Sequence, residues 1–235
     1  VIVDAWAKSD VGQQRHVNED CHYIDPELKL ILVLDGMGGH RAGEVASLLA
    51  METIVSYFRV HSHDASDPEL MFENYDPAFT FEANLLRQAT FEANRVVLKR
   101  SLEDERCVGM GSTVTGMVVK GLTVSMINVG DSRMYLIRNG KIEQISRDHT
   151  LAEDHVERGI MSREEARESQ LKHVLSSVIG VDTRIRVHMD VVSAMPKDIF
   201  LLCTDGLNAV MSEEEILESI LSSEPGPETL DRLLQ

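Results

Sequence analysis

Apolar positions along the chain follow two periods. Short runs rich in β-branched and aromatic residues, alternating or continuous, predict strands over Ile2–Ala7, Cys21–Ile24, Leu28–Leu34, Ser112–Lys120, Leu122–Val129, Met134–Arg138, Lys141–Ile145, Arg184–Val192 and Ile199–Thr204. Two of the joins are tight turns, Asn139-Gly140 between RMYLIR and KIEQIS and Lys120-Gly121, and both force their neighbours to be antiparallel. A parallel dinucleotide-binding sheet is therefore disfavoured. Leu86, Ala89, Ala93 and Val97, at spacings of three and four, predict a helix over Pro77–Lys99, and a second is predicted over Ala42–Tyr57. Ser212 with Glu215, and Ser162 with Glu165, read as capping boxes that open further helices. The acidic stretch His61–Asp76 reads as the loop joining the two long helices, with His61 and His63 exposed to solvent.

The chemistry is concentrated where strands stop. Leu28–Leu34 runs into Asp35-Gly36-Met37-Gly38-Gly39, and a strand this apolar reads as buried on both faces. A carboxylate at its rim costs several kcal/mol, or becomes protonated, unless a cation holds it. The glycines would let backbone come close to whatever Asp35 binds. The design recurs where Ile199–Thr204 ends on Asp205-Gly206 and Leu122–Val129 ends on Gly130-Asp131-Ser132, and Asn18-Glu19-Asp20 follows Arg15 near the N-terminus. Hard carboxylate oxygens beside a guanidinium are what a magnesium or manganese site that hydrolyses phosphate requires. Other phosphate and acyl chemistry fits poorly: GxxxxGK[ST] is absent, GxGxxG fails at Arg41, and neither Ser112 nor Ser132 lies in GxSxG.

Composition narrows this further. A formal net charge of −16 over 235 residues opposes binding to nucleic acid. No linker or low-complexity segment divides the sequence, so one domain over residues 1–235 is expected. The three cysteines, Cys21, Cys107 and Cys203, form no CxxC pair, which favours a reducing cytoplasm. No apolar run approaches the roughly 18 residues of a membrane span, and VIVDAWAKSD lacks a signal-peptide pattern, so a soluble protein without a membrane partner is expected.

Six motifs in order, Arg15-His16-Val17-Asn18-Glu19-Asp20, Asp35 to Glu44, Gly109-Met110-Gly111-Ser112-Thr113, Val129-Gly130-Asp131-Ser132-Arg133, Arg147-Asp148-His149 and Cys203-Thr204-Asp205-Gly206-Leu207, resemble the bacterial branch of the protein phosphatase 2C family. The resemblance implies an α+β fold, a four-layer αββα sandwich with two central antiparallel sheets flanked by helices and a flap insert at about 148–170. It implies hydrolysis of phosphoserine and phosphothreonine in proteins by a metal-activated water, with no phosphoenzyme. Two Mn²⁺ or Mg²⁺ ions would be held by Asp20, Asp35, the Gly36 carbonyl and Asp205, Glu19 would hold metal-bound water, and Arg15 would grip the phosphate. Asp131 would serve a third ion, but Ala209 stands where the family places that site's second acid. His40 lies close enough to protonate a leaving alkoxide, although animal members carry their proposed acid directly after the Asp-Gly pair, at Met37 here. The family's closing G-x-D-N segment, whose Asp is a core ligand, is expected beyond Gln235. The rival readings are a pseudophosphatase acting as a binding module and a binuclear phosphodiesterase. The expected partners are phosphoproteins, targets of a Ser/Thr kinase, and the expected state is a monomer.

Overall fold

The computed structural model describes residues 2–12, 17–38, 42–63, 72 and 74–234. Strands β1 (Asp20–Asp25) and β2 (Leu30–Met37) form a hairpin, followed by the long helices α1 (Ala42–His61) and α2 (Phe81–Glu103). After β3 (Gly111–Ser112), strands β4 (Val114–Lys120) and β5 (Thr123–Val129) form a second hairpin, and β6 (Arg133–Arg138) and β7 (Lys141–Gln144) a third. Short helices α3 (Leu151–Glu157) and α4 (Arg163–Glu168) precede β8 (His188–Ser193) and β9 (Ile199–Cys203). Helices α5 (Asp205–Asn208), α6 (Glu213–Leu221) and α7 (Pro227–Leu233) follow.

One sheet runs β1-β2-β4-β5-β8 with β3 added to the end of β2, the other runs β7-β6-β9, and every pairing is antiparallel. Among the described residues three apolar clusters lie between the layers. Leu30, Leu32 and Leu34 of β2 pack with Ala46, Ala50 and Ile54 of α1 and Leu86, Ala89, Ala93 and Val97 of α2. Met117 and Met126 of the larger sheet meet Met134, Phe200 and Leu202 of the smaller one. Tyr135 and Ile137, on the other face of β6, pack on Ile216 and Ile220 of α6 and Leu233 of α7. Helices, sheet, sheet and helices are thus stacked in that order, with an apolar layer between each pair.

Both predicted capping boxes form, with Ser162 on Glu165 and Ser212 on Glu215. The Asn139-Gly140 turn has φ of 53° and 72°, the left-handed pair that a two-residue hairpin demands. The two long helices run further toward their C-termini than the periodicity indicates, α1 to His61, where the imidazole packs 4.4 Å from the Tyr57 ring. Residues 64–71 and 73 of the expected acidic loop lie outside the described residues.

Several strands differ from expectation. Ile2–Ala7 joins no ladder: Val3 packs against the apolar layer between the sheets while Ile2 is 89% exposed, so the alternation serves packing rather than strand pairing. The Arg184–Val192 strand begins only at His188, since the Arg186 N–H and carbonyl are both taken by the Ser177 hydroxyl, at 2.9 and 3.2 Å. Ser112–Lys120 breaks at Thr113, whose N–H turns to the Asp35 carbonyl at 2.8 Å. β2 is not buried on both faces either. Its burial alternates, with Leu30, Leu32 and Leu34 sealed under the helices and Ile31, Val33 and Asp35 half-buried on the face toward the second sheet.

Residues 148–176 form an excursion between β7 and β8, pinched at its base where the Leu151 N–H donates to the Val174 carbonyl at 2.8 Å and the Ser176 N–H to that of His149 at 2.9 Å. Within it, α3, α4 and a 3-10 turn at Gln170–His173 pack on one another. No described helix is long and apolar enough to cross a membrane.

Candidate active site

The alternation of β2 puts Asp35 on the inter-sheet face, and the hairpin register sets Asp20 directly opposite it. Residues paired across two strands share a face, so the first two carboxylates enter the cleft side by side. Asp131 lies in the Gly130–Ser132 connection that carries the chain from β5 in one sheet to β6 in the other. Asp205 opens α5 directly after β9. The Thr204 hydroxyl donates to Asp20 Oδ2 at 2.9 Å and so ties the end of β9 to the start of β1.

Asp35 and Asp131 feel the neighbouring acids strongly. Burial, then the charges of Asp20, Asp205 and Asp131, and a hydrogen bond with Asp205 push the Asp35 carboxyl up to about 8. Burial and the Asp205 charge raise Asp131 to about 6. Among the described residues no three His, Cys, Asp or Glu side chains have closed into a metal cage, so this is an open set of oxygens centred on Asp35. Its chemistry still fits divalent metal ions: the donors are hard oxygens, and a cation relieves the mutual repulsion that protonation of Asp35 otherwise absorbs.

Gly36 has a reason different from the expected one. Its N–H donates to the Glu19 carbonyl at 3.1 Å, and a Cβ built on it would stand 2.1 Å from the Gly43 carbonyl oxygen and 2.7 Å from that of Glu19. A Cβ on Gly43 would stand 2.3 Å from Glu19 Oε1. The glycines therefore let β2, the first turn of α1 and the segment leading into β1 press together, and Glu19 is wedged where they meet.

Beneath the carboxylates lies a hydroxyl network that sequence reasoning passed over. Thr113 Oγ1 accepts the Asp35 N–H at 2.9 Å and is 2.7 Å from Ser132 Oγ, and the Ser112 hydroxyl donates to the Asp35 carbonyl at 3.2 Å. Thr115 bonds to Asn128 and to the Ser132 carbonyl, and the Asn128 amide donates to the Gly130 and Arg147 carbonyls at 3.2 and 2.9 Å. The available signal was polar residues at positions of β4 and β5 that pattern as core. The rejection of Ser112 and Ser132 as nucleophiles agrees with these roles, since both hydroxyls are buried and engaged.

Two other motif residues brace the Asp131 loop. His149 Nδ1 accepts the Gly130 N–H at 3.3 Å, and burial, with Arg186 and His188 nearby, pushes the imidazole down to about 4, so it stays neutral. Arg133 grips Asp148 through Nε at 2.9 Å and Nη2 at 2.7 Å. Ala209 is exposed just after α5, where the third site's second acid was expected. Arg15 and His40 lie outside the described residues.

The protein phosphatase 2C family model matches residues 12–231. The chain is 31% identical over 219 residues to the serine/threonine phosphatase stp of Listeria monocytogenes serovar 1/2a, covering 92% of this chain and 82% of the relative. It is 32% identical over 230 residues to the serine/threonine protein phosphatase PstP of Mycobacterium tuberculosis H37Rv, covering 97% of this chain and 41% of that longer protein. The crystal structure of the Mycobacterium tuberculosis phosphatase PstP/Ppp superposes with a TM-score of 0.79 at 28% identity, covering 97% of this chain and 90% of that one. A structure of the PstP catalytic domain in complex with two manganese ions gives 0.77 at 30% identity, covering 97% and 87%. With two antiparallel sheets between helices, four aspartates at one mouth of the cleft and these matches along nearly its whole length, the chain belongs to the protein phosphatase 2C family of serine/threonine protein phosphatases.

Proposed function

We propose that Asp20, Asp35, the Gly36 carbonyl and Asp205 hold two divalent ions, Mn²⁺ or Mg²⁺, and that the protein uses them to hydrolyse phosphoserine and phosphothreonine in phosphoproteins. The observation that carries this reading is the convergence of Asp20, Asp35, Asp131 and Asp205 on the inter-sheet cleft, with Asp35 raised to about 8 by burial and its three neighbours. Bound there, the ions would supply the positive charge that makes a water acidic near neutral pH and that neutralises the phosphoryl oxygens. The chain's own part is to aim the oxygens. Asp35 lies close to the other three acids and would contribute to holding both ions, Asp20 is set by its register opposite Asp35 and by the Thr204 hydroxyl, and Asp205 by the first turn of α5. Glu19, packed close against Gly43, would orient water at the ions. Arg15 binds the phosphate, since a guanidinium fork matches two phosphoryl oxygens. His40 is a candidate for protonating the leaving alkoxide.

Asp131 belongs to a weaker third position that lacks the acid Ala209 replaces. The excursion at about 148–170 acts as a flap that reads the protein around the phosphate. The substrates we propose are targets of a Ser/Thr kinase, met by a monomer in the cytoplasm, a setting that fits the free thiols of Cys21, Cys107 and Cys203.

Hydrolysis of a phosphothreonine peptide with and without Mn²⁺ tests the reading. Release of phosphate that requires Mn²⁺ and exceeds hydrolysis of bis(p-nitrophenyl) phosphate is expected. Faster cleavage of the diester would favour a phosphodiesterase, and Mn²⁺-independent silence toward both would leave a binding module.

A further inference from the structure

The hydroxyls of Thr113 and Ser132 meet where the end of β2, the break before β4 and the crossing between the sheets come together. Thr113 sits in the break between β3 and β4, alongside the end of β2, and its Oγ1 accepts the backbone N–H of Asp35 at 2.9 Å while its own N–H donates to the Asp35 carbonyl at 2.8 Å. Ser132 sits in the connection that crosses from the larger sheet to the smaller, immediately after Asp131, and its Oγ lies 2.7 Å from Thr113 Oγ1. Both residues are sealed from solvent, at 3% and 0% exposure. Packing locks the contact from a second direction: Gly130 holds φ at +98°, and a Cβ there would stand 2.5 Å from Thr113 Cγ2. No other residue type fits at Gly130 without pushing Thr113 away from Asp35.

We propose that Thr113 and Ser132 are positioning residues for the metal site, a buried hydroxyl clamp that sets the distance between Asp35 on one strand and Asp131 on the crossing between the sheets. This rests on the ligand assignment made above. The physical reason is that carboxylates of like charge push apart, so that their spacing must be imposed through the backbone. A hydrogen bond between two sealed hydroxyls meets no competition from water and is correspondingly rigid. Groups that orient metal ligands from behind contribute to affinity without touching the ion. The clamp therefore acts on metal binding and leaves the grip on the substrate phosphate to other residues.

The test is calorimetric titration of Mn²⁺ into the chain and its variants, with circular dichroism to confirm folding and steady-state hydrolysis of p-nitrophenyl phosphate at saturating Mn²⁺. Thr113→Val, which keeps the shape and removes the hydroxyl, is expected to weaken Mn²⁺ binding about tenfold. Ser132→Ala, which leaves Asp35 its acceptor and cuts only the link to the crossing, is expected to weaken it in the same direction by less. Thr113→Ser, which restores the hydroxyl and drops the methyl group, should bind Mn²⁺ like the parent, and KM for p-nitrophenyl phosphate should stay unchanged in all three. Folded Thr113→Val and Ser132→Ala proteins that titrate like the parent would overturn the clamp, as would a Thr113→Ser protein that loses as much as Thr113→Val. If Thr113→Val does not fold, weakened binding in Ser132→Ala beside parental binding in Thr113→Ser still supports it, and parental binding in Ser132→Ala overturns it. Asp35→Asn separates the clamp from its premise. Should that variant also bind Mn²⁺ like the parent, the ligand assignment falls and the clamp with it, whereas loss in Asp35→Asn alone removes only the clamp.

Discussion

At its turn end the β1–β2 hairpin holds Asp25, whose carboxylate accepts the N–H groups of Glu27 and Leu28 at 3.0 Å each, the Tyr23 hydroxyl at 3.0 Å and Arg59 Nη2 at 2.8 Å. At its open end the same two strands set Asp20 against Asp35, with Asp131 and Asp205 close by. Each end buries acid, but the partners have opposite signs. The Leu28 N–H leads the groups that hold Asp25 down at about 2, whereas burial and neighbouring carboxylates drive Asp35 up to about 8. The turn end uses its aspartate to fix the hairpin: Lys29 takes a left-handed φ of 52° while Asp25 closes the turn around it. The open end gives up local stability by crowding acids together, and such conflict concentrated in one place marks a candidate functional site.

The sharpest way to break this contrast is Asp35→Asn. Loss of Mn²⁺ affinity by at least about 100-fold, together with loss of turnover, is expected, since a carboxylate between two ions contributes more than the groups behind it. Calorimetric titration decides it, and unchanged two-site binding would end its role in holding both ions. Asp25→Ala should do the reverse, costing about 2 kcal/mol in urea unfolding because it takes the acceptor from two turn N–H groups and the Tyr23 hydroxyl, while Mn²⁺ affinity holds. A large shift in its Mn²⁺ titration would mean that the two ends are not separable.

The pH dependence of the chelator-treated protein carries opposite signs at the two ends. Asp25 is depressed below its usual 3.8, so its contribution is complete above that value and is lost as pH falls toward about 2. Asp35 is raised, so its folded-state advantage is full below 3.8 and drains away as pH climbs toward about 8. Urea melts should therefore show the parent gaining on Asp25→Asn as pH rises through the acid range, and losing ground to Asp35→Asn from there to about 8. Parallel curves would refute the contrast. The smallest effect on the chemistry is expected from deleting most of Val156–Gln170, which lies outside both ends: p-nitrophenyl phosphate turnover should survive while preference among phosphopeptides changes. Collapse of small-substrate turnover in a protein with native circular dichroism would show that the excursion is part of the catalytic machinery.

Much of the frame could be read locally. The Asn139-Gly140 hairpin, the capping boxes at Ser162 and Ser212 and the buried stripe of Leu86, Ala89, Ala93 and Val97 each depend on residues within a turn or two of one another, and each formed. The acids of the site were legible for a similar reason, because Asp35, Asp131 and Asp205 interrupt or end apolar runs, and nothing local explains them. Strand boundaries were less legible. Ile2–Ala7 has the alternation of a strand and no ladder, and Arg186 lost its place in β8 to a hydroxyl nine residues away.

The sequence by itself thus determined which residues could carry the chemistry, the antiparallel hairpins and the inward faces of the long helices, because short-range periodicity and turn stereochemistry are encoded in neighbouring side chains. Tertiary structure alone decided how those residues meet. The bond from the Asp35 N–H to Thr113 spans 78 positions and that from Thr204 to Asp20 spans 184, so neither has a local signature. Register between distant strands follows from packing the two sheets and their helices around the shared apolar layers, and that packing turned Asp35 toward the cleft and placed a pair of buried hydroxyls behind it.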